Sequence, residues 1–292
     1  MQAVYFLGDR EIEFRDVADP EPGPGEVVLE IKASGMCGSD LKFYRTKGGP
    51  QAFGLGGDGN PVIAGHEPCG VVAALGAGVS ADRFKIGQPM MNHHYMGCGC
   101  CTHCRNGWGQ MCDEGSVVFG VTGNGAHAQY MKMPVETLID LPQGLSFKSG
   151  AAISCGTGTA FGALQRLELR GTDTLAVFGQ GPVGLSATQL AHAMGARVIA
   201  LDVDQQRLNR ARDFGADAII DATSDGVVEQ LMELTGGRGV ECAMDCSSSA
   251  DARSQALKAA AKWGRVAFVG EGGEVTIDVS TDMLRKQLTV LG

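Results

Sequence analysis

Short apolar runs broken by turn residues mark the first part of the chain. Ala3–Leu7, Glu11–Phe14 and Glu26–Ala33 are interrupted by Asp, Pro and Gly, a pattern that predicts strands. Pro20-Glu21-Pro22-Gly23-Pro24-Gly25 reads as a rigid turn segment. Gly48 to Pro61 is crowded with glycine and reads as a mobile surface loop, after which strand-like pieces resume at Val62–Ala64 and Cys69–Leu75.

Beyond about Gly150 the period changes. Apolar strands at Thr174–Gly179, Arg197–Asp202, Ala218–Asp221, Val240–Cys246 and Arg265–Gly270 alternate with helical runs. The helical runs are Val183–Met194, Gln205–Phe214, Val227–Thr235 and Asp251–Lys262. This alternation predicts a parallel sheet covered by helices on both faces. The chain therefore divides into a β-rich domain over 1–150 and an α/β domain over 151–292, each large enough for its own core. It stops inside a sixth apparent strand, Leu288–Leu291, which predicts a truncated chain.

Composition narrows the class. Lys and Arg number 24 against 33 Asp and Glu, a net charge of −9, with a hydrophobic share of 44%. That is the balance of an ordinary globular chain. No apolar run reaches the ~20 residues of a membrane span, and the N-terminus lacks a secretory pattern. The acidic balance opposes binding to nucleic acid or anionic membranes. The expected protein is cytoplasmic, with a small-molecule substrate.

Five of the ten cysteines, Cys98, Cys100, Cys101, Cys104 and Cys112, crowd together. Cys98, Cys101, Cys104 and Cys112 form C-x2-C-x2-C-x7-C, spacing that lets four thiolates converge on one tetrahedral zinc with no open position. An iron–sulfur cluster or disulfides are the competing readings. Cys100 is surplus and is expected to point away, and His93, His94 and His103 are expected at the surface. Cys69, Cys242 and Cys246 lie in or beside apolar strands and read as packing.

Gly179-Gln180-Gly181-Pro182-Val183-Gly184 fits GxGxxG between a strand and a helix. The glycines permit a tight turn, close approach of a pyrophosphate, and close helix–strand packing. Asp202 ends the next strand, where a carboxylate holds a ribose hydroxyl and repels a 2′-phosphate, favouring NAD over NADP. Asp204 ranks second for that role. Arg207, expected on the next helix, would soften the preference.

Cys37, His66 and Cys155 remain, in Gly35-Met36-Cys37-Gly38-Ser39-Asp40, Gly65-His66-Glu67-Pro68 and Ser154-Cys155-Gly156-Thr157. Spacing alone cannot bring them together. With the cysteine run and the glycine loop, however, the chain resembles the zinc-containing medium-chain dehydrogenases, the alcohol and polyol dehydrogenase superfamily. The resemblance implies a GroES-like catalytic domain carrying a zinc lobe over about 92–113, then a Rossmann doubly wound domain. It implies a missing C-terminal segment that returns to the catalytic domain. It further implies two zincs per chain, a catalytic one on Cys37, His66 and Cys155 and a structural one on the four lobe cysteines.

By the same resemblance, Glu67 lies behind the metal, Asp40 orients His66, Ser39 receives the substrate proton and Thr159 lies beside the nicotinamide. Lys42 stands where many relatives carry a proton-relaying histidine, and Gly38 where many carry a basic residue. Cys-Gly-Ser-Asp resembles the polyol and threonine dehydrogenase branches, whereas Cys155 as third ligand resembles the alcohol dehydrogenases. The implied reaction is hydride transfer between a secondary alcohol or polyol and NAD in a dry cleft between the domains. The implied protein is a homo-oligomer, dimer or tetramer. Competing functions are an L-threonine 3-dehydrogenase-like activity on an amino alcohol, a zinc-free NADPH quinone reductase, and a non-catalytic nucleotide- or zinc-binding protein.

Overall fold

The computed structural model describes residues 1–53 and 61–292. Half of the glycine-crowded loop expected over Gly48–Pro61, residues 54–60, lies outside the described residues. The chain forms two compact units, Met1–Cys155 and Gly156–Gly292.

The first unit is built on a five-stranded antiparallel sheet in the order Tyr130–Pro134, Glu26–Ser34, Pro68–Leu75, Pro89–Asn92, Leu138–Asp140. Val27, Leu29, Val72, Met90, Met131 and Met133 fill its core. Cys69 lies opposite Met91, so the segment entering Pro68–Leu75 and the segment leaving Pro89–Asn92 sit at the same end of the sheet. The helix Phe147–Ala152 packs there through Ala151, against Cys69 and Met91. An N-terminal hairpin, Gln2–Gly8 with Glu11–Asp16, completes the unit's larger strands.

The second unit is a six-stranded parallel sheet in the order Ala218–Asp221, Arg197–Asp202, Thr174–Phe178, Val240–Asp245, Ala260–Phe268, Thr289–Leu291. One buried cluster, with Phe178, Leu231 and Leu257, and a second, with Leu164, Ala187 and Met244, fill its core. The strand order reverses between Thr174–Phe178 and Val240–Asp245. In a doubly wound sheet the ligand crevice lies beyond the carboxyl ends at such a reversal.

Most elements differ from the sequence pattern by a residue or two at their ends, and two stretches differ by more. Val62–Ala64 joins no ladder. Its backbone is tied instead by Ala64 N–H to the Val4 carbonyl and Ile63 N–H to the Asn124 side chain, and Gly65 turns the chain away at φ +93°. The helix expected to run to Lys262 stops at Ala259, and the strand starts at Ala260. Pairing of Ala260 with Val240 outweighs the helical preference of an alanine-rich run. Among the described residues no helix is long and apolar enough to cross a membrane.

Candidate metal and dinucleotide sites

Cys37 is the N-cap of the short helix Gly38–Arg45. Its backbone N–H donates to Asp40 Oδ2 at 2.8 Å, and the Ser39 N–H donates to its sulfur at 3.3 Å. This reciprocal cap aims the Cys37 thiol and the Asp40 carboxylate to the same side. His66 arrives from the turn before Pro68–Leu75. Gly65 must be glycine there, because a Cβ would lie 2.5 Å from the His127 ring. Cys155 sits in a π-helical stretch, Ile153–Thr157, that follows Phe147–Ala152. Such wide turns are rare and concentrate at functional sites.

These segments gather four side chains. Single donor atoms from Cys37, His66, Glu67 and Cys155 all lie within 4.8 Å of one another. The Cys37 sulfur is 2.9 Å from His66 Nε2, and Asp40 Oδ1 approaches the opposite ring nitrogen, Nδ1, to 3.2 Å. That approach is close enough for an ion pair, although neither atom gains a well-aligned hydrogen bond. His66 is 3% exposed, Glu67 4% and Asp40 1%, so the ring and the carboxylates are withdrawn from water, while Cys37 and Cys155 are half-buried.

Such crowding shifts every proton. The Cys155 thiol, and then the His66 ring, hold Cys37 well below the ordinary thiol range against the opposing effect of burial. The Cys155 thiol is pushed up by its bond to Cys37 and by burial. Burial pulls His66 down, but Asp40 and Cys37 outweigh it and hold the ring up at about 10. Burial, then the Cys37 charge, raises Glu67 to about 7. A crowded set of acidic donors stabilised by one proton-bearing ring is a set that a divalent cation fits. Two sulfurs and an imidazole at these separations suit zinc, whose bond lengths of about 2.0–2.3 Å place ligand atoms several ångströms apart.

The four lobe cysteines converge equally well. Cys98, Cys101, Cys104 and Cys112 bring their sulfurs within 4.8 Å of one another. Cys101 N–H donates to the Cys98 sulfur at 3.3 Å and Cys98 N–H to that of Cys112 at 3.2 Å. Such N–H donors stabilise thiolates. Gly97 is required, because a Cβ there would meet the Cys104 sulfur at 2.4 Å. Cys100 departs from expectation. It does not point away; its sulfur lies 3.4 Å from that of Cys98.

In the second unit each loop glycine has a distinct role. Gly179 has φ +91°, and a Cβ at Gly184 would lie 1.8 Å from the Gly179 carbonyl oxygen. A Cβ at Gly181 would meet nothing within 4 Å, which leaves its backbone open to a ligand. Gly181 is the N-cap of the helix Pro182–Ala193, with Pro182 and Val183 in its first turn, so unpaired N–H groups face that opening. Asp202 is 5% exposed and accepts from Gln180 N–H at 2.6 Å and Asp204 N–H at 2.9 Å. A carboxylate has further lone pairs for ribose hydroxyls. Asp204, the second candidate for the ribose, instead caps the helix Gln205–Asp213 through Oδ1. Arg207 lies on that helix, its guanidinium 3.8 Å from Asp202. A cavity of about 390 Å³ is lined by Gly181, Pro182, Leu185, Asp204, Arg207 and Arg210.

Ser39 and Lys42 occupy the helix that starts at Cys37, and both are half-buried; the Lys42 ammonium lies 5.6 Å from the centre of the Phe53 ring. Thr159 is exposed in the first turn of Gly158–Arg166. His93 is exposed, as expected, but His94 is not a surface residue. It is 7% exposed, and its ring centre is 5.2 Å from that of His66. Ser154 and His127 also carry no mark in the sequence pattern. The only signal was adjacency, of Ser154 to Cys155, since His127 is remote from every motif.

Comparison with known proteins agrees with this geometry. Residues 23–143 match the alcohol dehydrogenase GroES-like domain, and residues 182–292 match the zinc-binding dehydrogenase family. The chain is 39% identical to the uncharacterized zinc-type alcohol dehydrogenase-like protein YphC of Escherichia coli K12, over 100% of this chain and 83% of that protein. It is 32% identical to a sorbitol dehydrogenase of Bacillus subtilis, over 92% of this chain and 75% of the relative. Among solved structures, the alcohol dehydrogenase TADH from Thermus sp. ATN1 superposes with a TM-score of 0.88 at 28% identity, over 100% of this chain and 84% of that one.

Proposed function

Because the chain belongs to the family of zinc-dependent alcohol and polyol dehydrogenases, we propose that it oxidises a secondary alcohol or polyol with NAD, reversibly. The observation that carries this reading is the convergence of half-buried Cys37 and Cys155 on buried His66 and Glu67.

Cys37, His66 and Cys155 would hold a catalytic zinc, with Cys98, Cys101, Cys104 and Cys112 holding a second, structural one. When bound at the first site, zinc supplies Lewis acidity that brings an alcohol's proton within reach of neutral pH. Asp40 orients His66 through Nδ1 and keeps Nε2 directed at the donor cluster, which raises the ring's basicity as a ligand. Glu67, whose carboxylate lies within 4.8 Å of the same donors, would be available as a further ligand to the metal. Ser39 accepts the substrate's hydroxyl proton while its own proton leaves towards ribose hydroxyls and water, with the Lys42 ammonium standing beside that route at the position a relaying histidine would take. The backbone at Gly181 through Gly184 receives the pyrophosphate, Asp202 the adenosine ribose, and Thr159 contacts the nicotinamide. Asp202 favours NAD over NADP by charge, and Arg207 tempers that preference.

Metal analysis of the purified protein, paired with a panel of alcohols and polyols and either dinucleotide, tests this reading. Two zincs per chain and NAD-linked turnover of a secondary alcohol or polyol are expected. A chain with a single zinc and no turnover would overturn it.

A further inference from the structure

Two polar side chains beside the donor cluster take no part in metal binding or proton transfer. Ser154, 9% exposed, directly precedes Cys155. Its hydroxyl reaches the Pro68 carbonyl at 2.8 Å and the Gly150 carbonyl at 3.0 Å, sharing one proton between them. His94 Nδ1 lies 3.1 Å from the Ser154 carbonyl. A carbonyl only accepts, so Nδ1 carries the proton in that bond. The His94 ring stands nearly edge-on to His66, at 61° between planes.

From these contacts we infer that Ser154 and His94 are positioning residues that brace the metal donors before any metal arrives. The inference rests on the catalytic-zinc reading of Cys37, His66 and Cys155. Pro68 follows His66 and Glu67 without a gap, so the Ser154 hydroxyl ties the segment bearing Cys155 to the segment bearing His66. His94 closes the third side. It leaves the end of Pro89–Asn92, where Asn92 is pinned by its side chain to Thr137 Oγ1 at 2.7 Å and His93 N–H donates to the Thr137 carbonyl at 2.7 Å.

The brace joins three segments far apart in the chain through side-chain-to-carbonyl bonds, and both side chains are buried where a failed bond is costly. The wide turn Ile153–Thr157 makes it necessary. A π-helical stretch has weakened internal hydrogen bonding, and the orientation of Cys155 depends on what holds the Ser154 carbonyl and hydroxyl. Donors held in place bind a metal without first paying the entropy of gathering them.

Zinc retention tests the brace without recourse to turnover. The four-cysteine lobe serves as an internal reference in each sample. Holoenzyme is titrated with a competing chelator and released zinc is read with a colorimetric indicator, one metal per chain at a time. For Ser154→Ala and His94→Phe, the more labile zinc is expected to bind roughly 10–100-fold more weakly than in the parent. The lobe zinc should be unchanged. Ser154→Thr, which keeps the hydroxyl, and His94→Asn, whose amide can donate to the same carbonyl, should recover most of the loss. Parental zinc affinity in both Ser154→Ala and His94→Phe would overturn the brace while leaving the zinc-site reading intact. A parent that carries only the lobe zinc would overturn that reading and the brace with it. Should Ser154→Ala not fold, the contrast between His94→Phe and His94→Asn decides alone.

Discussion

The sulfur of Cys37 lies 2.9 Å from Nε2 of His66, although 29 residues separate them. A thiol and a ring nitrogen held this close, with Cys155 and Glu67 in the same cluster, form a donor set that could hold a cation.

Cys37→Ser should therefore lower the metal content from two zincs to one and reduce turnover by more than about a hundredfold. Elemental analysis and initial rates, measured on the same preparation, check this. Two zincs retained with full activity would place the chemistry elsewhere.

Gly97→Ala should loosen the lobe. The new Cβ would lie 2.4 Å from the Cys104 sulfur and 3.0 Å from the Gly109 carbonyl, and a metal-bound sulfur has little room to yield. Faster loss of the lobe zinc to chelator and a lower melting temperature are expected, since structural zinc contributes directly to folding. The first zinc site should keep its metal.

Asp202→Ala should raise KM for NAD by roughly 10–100-fold, the value of hydrogen bonds to a charged group, and narrow the gap between NAD and NADP. Asp202→Asn, which can still accept from Gln180 N–H, should fall between parent and alanine variant. Steady-state kinetics with both dinucleotides read the effect. An unchanged ratio of NAD to NADP efficiency would remove Asp202 from the cofactor site.

Arg253→Ala should cost about 3–5 kcal/mol of stability. Arg253 Nε pairs with Asp245 Oδ2 at 3.0 Å, and Asp245 is fully buried. The guanidinium also donates to the Gly270 carbonyl at 2.5 Å, joining the ends of two neighbouring strands. Removing it strands a buried carboxylate. Urea unfolding of the parent and variant measures the difference, and a change below about 1 kcal/mol would show that Asp245 finds another partner.

Acid should weaken the first unit partly through His94. Burial, and then the charge of His66, lower its pKa from 6.5 to about 4. Between those values the unfolded ring binds a proton that the folded ring refuses, so stability falls as pH drops from 6.5 towards 4. Above 6.5 the contribution is fully present. Replacing the ring by His94→Phe should flatten this part of the profile, as followed by urea midpoints at pH 7.5, 5.5 and 4.5. Parallel parent and variant profiles would rule the ring out.

Much of the fold was legible in the residues because its signals are local. Arg197–Asp202 and Ala218–Asp221 formed as expected, and the Thr174 strand ended one residue early, at Phe178. Gly179, by its φ of +91°, and Gly184, by its contact with the Gly179 carbonyl, hold places that only glycine fills. The same holds for the four lobe cysteines, where short loops make convergence a property of spacing. Asp204 and Cys100 were less legible, because a carboxylate's choice between cap and ligand and a thiol's direction depend on one rotamer each.

What the amino-acid sequence determined by itself was everything that a few neighbouring residues can impose: the glycine loop, the cysteine lobe, the strand and helix periods and the family likeness. Only the tertiary structure decided that Cys37, His66 and Cys155 come together, that His94 stands beside them rather than in solvent, and that the Ser154 hydroxyl reaches the Pro68 carbonyl. The reason is physical. Those contacts are made by the pairing of Pro68–Leu75 with Pro89–Asn92 and by the seating of Phe147–Ala152 on them, and sheet register and packing act between residues whose separation along the chain carries no trace of their distance in space.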